Sequence, residues 1–404
     1  MTDFHLDSDI GEIAGGIGDA AGALAGRTLV LTGAAGFLGR YFLTVIRHLN
    51  ALVLTEPCRV LALDNMITGN GDALQGDDNI QFLIRNVIEP FEPDGGVDYI
   101  IHAAGIASPF HYRAYPLETL EVAINGTRNM LDLARENHAR LLFFSSSEIY
   151  GDPDGKHVPT LESYRGNVAC QGPRACYDES KRVGETLCHI FHKNYGVATS
   201  VVRPFNVFGP GMAENDYRVL ANFASRIKAG IPLNVYGSGR QTRTYCYIAD
   251  AMTGFLLTLL NGVPGEAYNI GATSPEISVS DLVKRIEAVL GRSLNANIIE
   301  YPDSYPADEP QRRCPDIRKA RTQLGFEPRV ELDDGLGRFL GWTDRAYTGG
   351  GGRSGFAAGP DWRRTMGPQY SGHRRRNARA FCHLGGEPKP GHPSAGERGL
   401  HPLP

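Results

Sequence analysis

The sequence predicts a doubly wound α/β protein, a parallel sheet between two helix layers, with a smaller C-terminal α/β lobe for a substrate. Three observations predict it. Residues 27–203 alternate short β-branched runs with helical patterns. Those runs are apolar throughout and do not alternate with polar residues, which is the pattern of strands buried on both faces. The first run joins the first helical pattern through a turn with glycine at every third position.

Residues 1–26 come first. Ile10, Ile13, Ile17 and Leu24 recur there at helical spacing, which predicts one short amphipathic helix docked on the body and weakened by its glycines. The strand candidates follow within residues 27–203: "RTLVLT", "RVLALD", "IQFLIR", "VDYIIHAA", "RLLFFSS" and "ATSVVR". After "RPFNVFGP" the regularity gives way to helices and loops punctuated by Pro and Gly. Residues 204–347 are therefore expected to form the substrate-binding lobe, partly interleaved with the sheet. The last stretch, 348–404, is a different material. Its 13 Gly and 7 Pro in 57 residues exceed the level of roughly 25–30% at which disorder is expected. It holds 9 Lys+Arg against 3 Asp+Glu, leaving 32 basic and 42 acidic residues in positions 1–347. A basic tail of this kind suits an acidic surface or nucleic acid, and an unselected extension explains it as well. Nucleic acid is not an expected partner of the body.

Composition excludes other classes. No window approaches the length of uninterrupted apolar sequence that a membrane span needs, and "MTDFHLDSDI" is acidic where a signal peptide is basic. A cytoplasmic protein with no membrane partner is expected. The seven cysteines (58, 170, 176, 188, 246, 314 and 382) are widely spaced with no Cys-x-x-Cys pair, so neither a disulfide framework nor a metal site is expected.

The turn "LVLTGAAGFLGRYF" places Gly33, Gly36 and Gly39 between a strand and a helix. Glycines let the backbone approach a pyrophosphate there, and the unpaired N–H groups of the helix N-terminus favour the anion, as in a Rossmann-type dinucleotide site. The second run ends in Asp64, where a carboxylate accepts hydrogen bonds from an adenosine ribose and repels a 2′-phosphate. The expected cofactor is NAD.

The Gly-x-x-Gly-x-x-Gly spacing resembles that of the extended short-chain dehydrogenase/reductase superfamily. That superfamily also carries a Tyr-x-x-x-Lys, and residues 177–181 read "YDESK". On a helix Tyr177 and Lys181 share a face, so the ammonium is expected to lower the phenol pKa and let tyrosinate take a proton from a substrate hydroxyl. By resemblance, Ser146 in "SSSEIYGDP" bonds the same substrate oxygen. Phe37, Leu38, Asn65, Asn86, Val87 and Ala103 are assigned to the cofactor in the same way.

Glu148 is more than an oxidation needs. Once a sugar C4 hydroxyl becomes a ketone, C5 turns acidic and a carboxyl on C5 becomes a β-keto acid, so either bond is easily broken. The alternative is a glutamate capping the next turn. Three stretches resemble UDP-glucuronate decarboxylases: "GIASPFHY", with Ser108 and Tyr112; "GPRACYDESKR"; and "ADEPQRRCPDIRKA", which carries Arg313 to the sugar. An arginine can hold the carboxylate and then stabilise the enolate. The resemblance further assigns Ser147 to the substrate, and Asn206, Arg218, Tyr236 and Arg243 to a nucleotide diphosphate. It departs at Glu121, where a lysine is expected, at Ala123 for an asparagine, and at Asn86 for an aspartate. It implies an NAD-dependent decarboxylation of UDP-glucuronate in a homodimer built through the Tyr177 helix. A 4,6-dehydratase, a 4-epimerase and a non-catalytic NAD-binding scaffold are the alternatives.

Overall fold

Six apolar runs become six parallel strands: β1 (Thr28–Thr32), β2 (Arg59–Asp64), β3 (Ile80–Ile84), β4 (Tyr99–His102), β5 (Arg140–Phe144) and β6 (Ala198–Pro204). A seventh, Glu266–Ile270, returns from the C-terminal portion and pairs with β6. From that edge the order is seventh strand, β6, β5, β4, β1, β2, β3, a doubly wound Rossmann-type sheet. The structure, a computed structural model, describes residues 4–69, 76–300 and 310–350.

Burial on both faces explains the unbroken apolar runs. Leu29 and Leu31 of β1 join one core with Phe42 and Ile46, whereas Val30 between them joins a second core with Met130 and Phe143. Full burial of each such side chain contributes about 1.5–3 kcal/mol, so neither face of the strand tolerates a polar residue.

The N-terminal segment forms a helix over Asp7–Ile17, which tightens into a 3-10 helix over Gly18–Leu24. The expected single helix changes character at Gly18, whose φ of +52° suits glycine. Ile10, Ile13, Ile17 and Leu24 are all buried. Asp9, also buried, accepts hydrogen bonds from Tyr247 Oη at 2.8 Å and Arg338 Nη1 at 3.2 Å.

In the C-terminal portion Leu233–Tyr236 pairs with Ala296–Ile299. Thr242–Arg243 lies between Ile277–Ser278 and Arg312–Arg313, and this register sets Arg313 beside Arg243. The last helix among the described residues, Leu332–Ala346, leads to buried Tyr347, whose Oη donates to Met212 O at 2.9 Å. Residues 351–404, most of the expected tail, lie outside the described residues. Among the described residues no helix is long and apolar enough to cross a membrane.

Candidate active site

The C-terminal ends of the strands carry the site. Gly33 follows β1 with φ +73°, and a Cβ there would lie 2.9 Å from the Ala103 backbone. A Cβ on Gly39, in the first turn of the helix Phe37–Leu52, would overlap the Gly33 carbonyl. Only glycines let the turn, that helix and the end of β4 come this close. Gly36 is the N-cap, and its N–H donates to Gly33 O at 3.1 Å. Asp64 accepts from Ala35 N at 2.9 Å and Met66 N at 2.8 Å, so it also holds the glycine turn against β2, a task its position in the sequence did not reveal.

Asn65 and Asn86 fold the loops after β2 and β3, their Oδ1 atoms accepting from Ile67 N (3.1 Å) and Ile88 N (3.3 Å). Val87 packs against Gly126, where a Cβ would lie 2.8 Å from its methyl, and its carbonyl accepts from Asn129 Nδ2. Of the departures, Glu121 is exposed and Ala123 is buried.

One cavity runs from Phe37, Leu38 and Ala103 past Ser146, Tyr177 and Lys181 to Asn206, Arg218, Tyr236, Arg243 and Arg313. Tyr112, Ser147 and Glu148 also line it, as do Tyr217, Gln241 and Tyr245, which sequence reasoning missed. Ser108 sits just before the short helix Pro109–Ala114 and is not part of this lining, although Ala107 and Pro109 are.

Tyr177 and Lys181 are buried on the helix Ala175–Tyr195. Tyr177 is hydrogen-bonded to Ser146 and stacks on Tyr112, with ring centroids 5.2 Å apart. Lys181 Nζ donates to Phe144 O at 2.9 Å and lies 5.8 Å from the Tyr177 ring centroid. Burial pushes the phenol up to about 12, with the Ser146 bond pulling the other way, and burial pushes the ammonium down to about 8. Burial sets the direction for the phenol, and the pulls the other way come from Ser146 and the charge of Arg218 rather than from the expected Lys181.

Glu148 does not cap the turn with its carboxylate. Ser146 does the capping, its Oγ accepting from Glu148 N at 3.2 Å. The Glu148 carboxylate takes Arg313 in a two-pronged pair, Nη1 to Oε1 at 2.5 Å and Nη2 to Oε2 at 2.7 Å, and it also takes Arg174 Nη2. Burial pushes this carboxyl up, but the charges of Arg174 and Arg313 overcome it and hold it at about 2. Arg174 was missed in the sequence. Its signal there was an arginine three residues before Tyr177 and four before Asp178, one face of a helix start.

The remaining predicted side chains have protein partners. Asn206, at φ +42°, donates through Nδ2 to Thr244 O at 2.8 Å. Arg218 pairs with Asp216, and Arg243 donates to the carbonyls of Thr242, Gln311 and Pro310. Among the described residues no His, Cys, Asp or Glu cluster is arranged to hold a metal.

A glycine cradle at the C-terminal ends of a parallel sheet, leading to a half-buried Ser146 and a buried Tyr177 and Lys181, defines a nucleotide-dependent enzyme of the short-chain dehydrogenase type. The chain belongs to the NAD dependent epimerase/dehydratase family, whose sequence model matches residues 29–271. It is 40% identical over 317 residues to UDP-glucuronic acid decarboxylase 1 of Xenopus tropicalis, covering 78% of this chain and 71% of that one. It is 39% identical over 322 residues to the Danio rerio enzyme of the same name, covering 79% and 73%. Among solved structures it is similar to UDP-glucuronic acid 4-epimerase from Bacillus cereus in complex with UDP-glucuronic acid and NAD. That match has a TM-score of 0.66 and 25% identity, and covers 80% of this chain and all of that one (100%). The residues present fit NAD: the turn leaves no room for any Cβ at Gly33 or Gly39, and the Asp64 carboxylate stands beside it on Ala35 N.

Proposed function

We propose that this protein is an NAD-dependent decarboxylase acting on UDP-glucuronate. Gly33, Gly36 and Gly39 would hold the pyrophosphate, Asp64 the adenosine ribose and Lys181 the nicotinamide ribose, with Phe37, Leu38, Asn65, Asn86, Val87 and Ala103 around them. Bound NAD supplies a hydride acceptor for the sugar C4. Tyr177, bonded to Ser146, takes the proton of the C4 hydroxyl. The resulting ketone makes the C5 carboxyl a β-keto acid. CO2 then departs as the C5–C6 electron pair moves into the C4 oxygen, and C5 takes a proton. Residues 204–347 serve as the substrate lobe, where Asn206, Arg218, Tyr236 and Arg243 hold the nucleotide diphosphate and Ser108, Tyr112 and Ser147 the sugar. Two copies of the chain pair through the Tyr177 helix.

The observation that carries this reading is the Glu148 site. Two arginines, Arg174 and Arg313, converge on a carboxylate at the sugar end of the cavity. A substrate carboxylate arriving there finds two cations already desolvated and oriented, and they then stabilise the enolate. Glu148 balances only one of the two charges, and a neutral hexose brings nothing to balance the other. The test is to incubate purified protein with NAD and UDP-glucuronate and to follow CO2 and product mass. Loss of CO2 is expected, giving UDP-xylose if the ketone is reduced in place or the 4-keto pentose if it leaves first. Dehydration of UDP-glucose or dTDP-glucose, with UDP-glucuronate untouched, would contradict it.

A further inference from the structure

A second cavity, of about 360 Å³, lies against the first and is lined by Asp152, Asn167, Gln171, Asp178 and Gln311. Glu148 and Arg174 line both cavities, so their ion pair is the wall between them. Asp178 faces the second cavity alone. It is 6% exposed, its Oδ1 has no hydrogen-bond partner among the described residues, and its Oδ2 lies 3.7 Å from Arg174 Nε, beyond hydrogen-bond length. A buried carboxylate with an unbonded oxygen and only this longer ion contact is disfavoured as the anion, and nothing in the reaction described so far uses it.

Decarboxylation leaves an unassigned proton. Tyr177 takes one from the C4 hydroxyl and gives it back on reduction, whereas C5 gains a proton for which CO2 leaves none behind. Each turnover therefore draws one proton from solvent. Building on the decarboxylase reading, we propose that Asp178 is a positioning residue that stores this proton, passes it through Glu148 to C5, and is refilled from the second cavity. The sugar carboxylate competes for Arg174 and Arg313, so Glu148 loses part of both charges and can accept the proton of Asp178. Glu148 gives it to C5 once the C5–C6 bond has broken.

The groups facing Asp178 agree. Glu148 from the turn after β5 opposes its ionisation, Arg174 from the helix entry and Arg313 from the C-terminal portion favour it, and Glu179 opposes it. Tyr112, Cys176 and Tyr177 are further titratable neighbours, and Asp152 lines the same cavity. Burial, then the Glu148 charge, push Asp178 up to about 7.

The experiment is a single turnover with UDP-glucuronate and NAD in deuterated water, timing CO2 release and deuterium entry at C5 separately. In Asp178→Asn, CO2 release is expected within about twofold of wild type while C5 labelling slows by about tenfold or more, and Asp178→Glu restores it. In the wild type, C5 labelling should slow as pH rises through about 7, while the oxidation step, read by absorbance of reduced cofactor, does not follow that limb. Wild-type labelling rates in Asp178→Asn would overturn the proposal. So would labelling independent of pH in the wild type, a result that stands even if the variant does not fold. In both cases CO2 still leaves and the decarboxylase reading survives; a wild type that releases no CO2 removes both.

Discussion

Arg313 and Glu148 stand 165 residues apart in the chain and meet through two parallel hydrogen bonds of 2.5 and 2.7 Å. The pairing of Arg312–Arg313 with Thr242–Arg243 delivers the guanidinium, and the 3-10 turn after β5 delivers the carboxylate. Oxidation at C4 needs neither, so the pair separates the two halves of the reaction.

Glu148→Gln keeps the shape and removes the charge. It should leave oxidation intact and slow deuterium entry at C5 by about 100-fold or more in a single turnover in deuterated water. With Arg174 and Arg313 no longer neutralised, UDP-glucuronate should raise the melting temperature of this variant more than that of the wild type. C5 labelling at the wild-type rate would make Glu148 a purely structural member of the pair.

Tyr177→Phe should abolish formation of reduced cofactor while NAD affinity changes little, because the phenol acts on the substrate proton. The stack on Tyr112 survives the change. Titration with NAD and a rapid-mixing assay measure the two effects; normal turnover would remove Tyr177 from the chemistry.

Asp64→Asn should narrow the preference for NAD over NADP, since the charge that repels a 2′-phosphate is gone. The amide oxygen can still accept from Ala35 N or Met66 N, so the glycine turn stays closed. Asp64→Ala should lose both bonds and lower the melting temperature as well, by an amount corresponding to about 1–3 kcal/mol. Equal affinity of the wild type for both cofactors would contradict the assignment.

A chain ending at Tyr347 should keep its melting temperature and turnover. Among the described residues the last buried side chain is Tyr347, bonded to Met212; Thr348 adds only exposed bonds to Glu214 and Gly349 packs no side chain on the body. Such surface bonds contribute little. A lower melting temperature or lost activity would give the basic tail a role.

What the sequence revealed was local. The six strands depend on short unbroken apolar runs, and the glycine turn and the Tyr177–Lys181 face on spacings of three or four residues, all of which are readable within a few positions of the chain. What it hid depends on the tertiary fold. The strand Glu266–Ile270 joins the sheet only because β6 has an open edge. Asp64 is within reach of Ala35 because β2 lies beside β1. The sequence offered Glu148 and Arg313 as separate contacts to a sugar, whereas the fold makes them one ion pair. Arg174 was hidden in a motif read for its tyrosine.

Lys181 gives the sharpest test of the site's electrostatics. Burial pushes its ammonium down to about 8, whereas the unfolded chain binds that proton as free lysine does, near about 10.4. A group whose folded pKa is depressed weakens the fold fully below the folded value, and the deficit fades as pH rises to the unfolded one. At neutral pH the deficit is on the order of 3 kcal/mol, part of which the bond to Phe144 O already offsets. Lys181→Met should therefore be inactive yet more stable than the wild type at pH 7 in the absence of NAD. The difference in melting temperature should shrink as pH rises from about 8 toward about 10. A variant less stable than the wild type at pH 7 would mean that the Phe144 bond outweighs desolvation, and that this cationic site stabilises the fold.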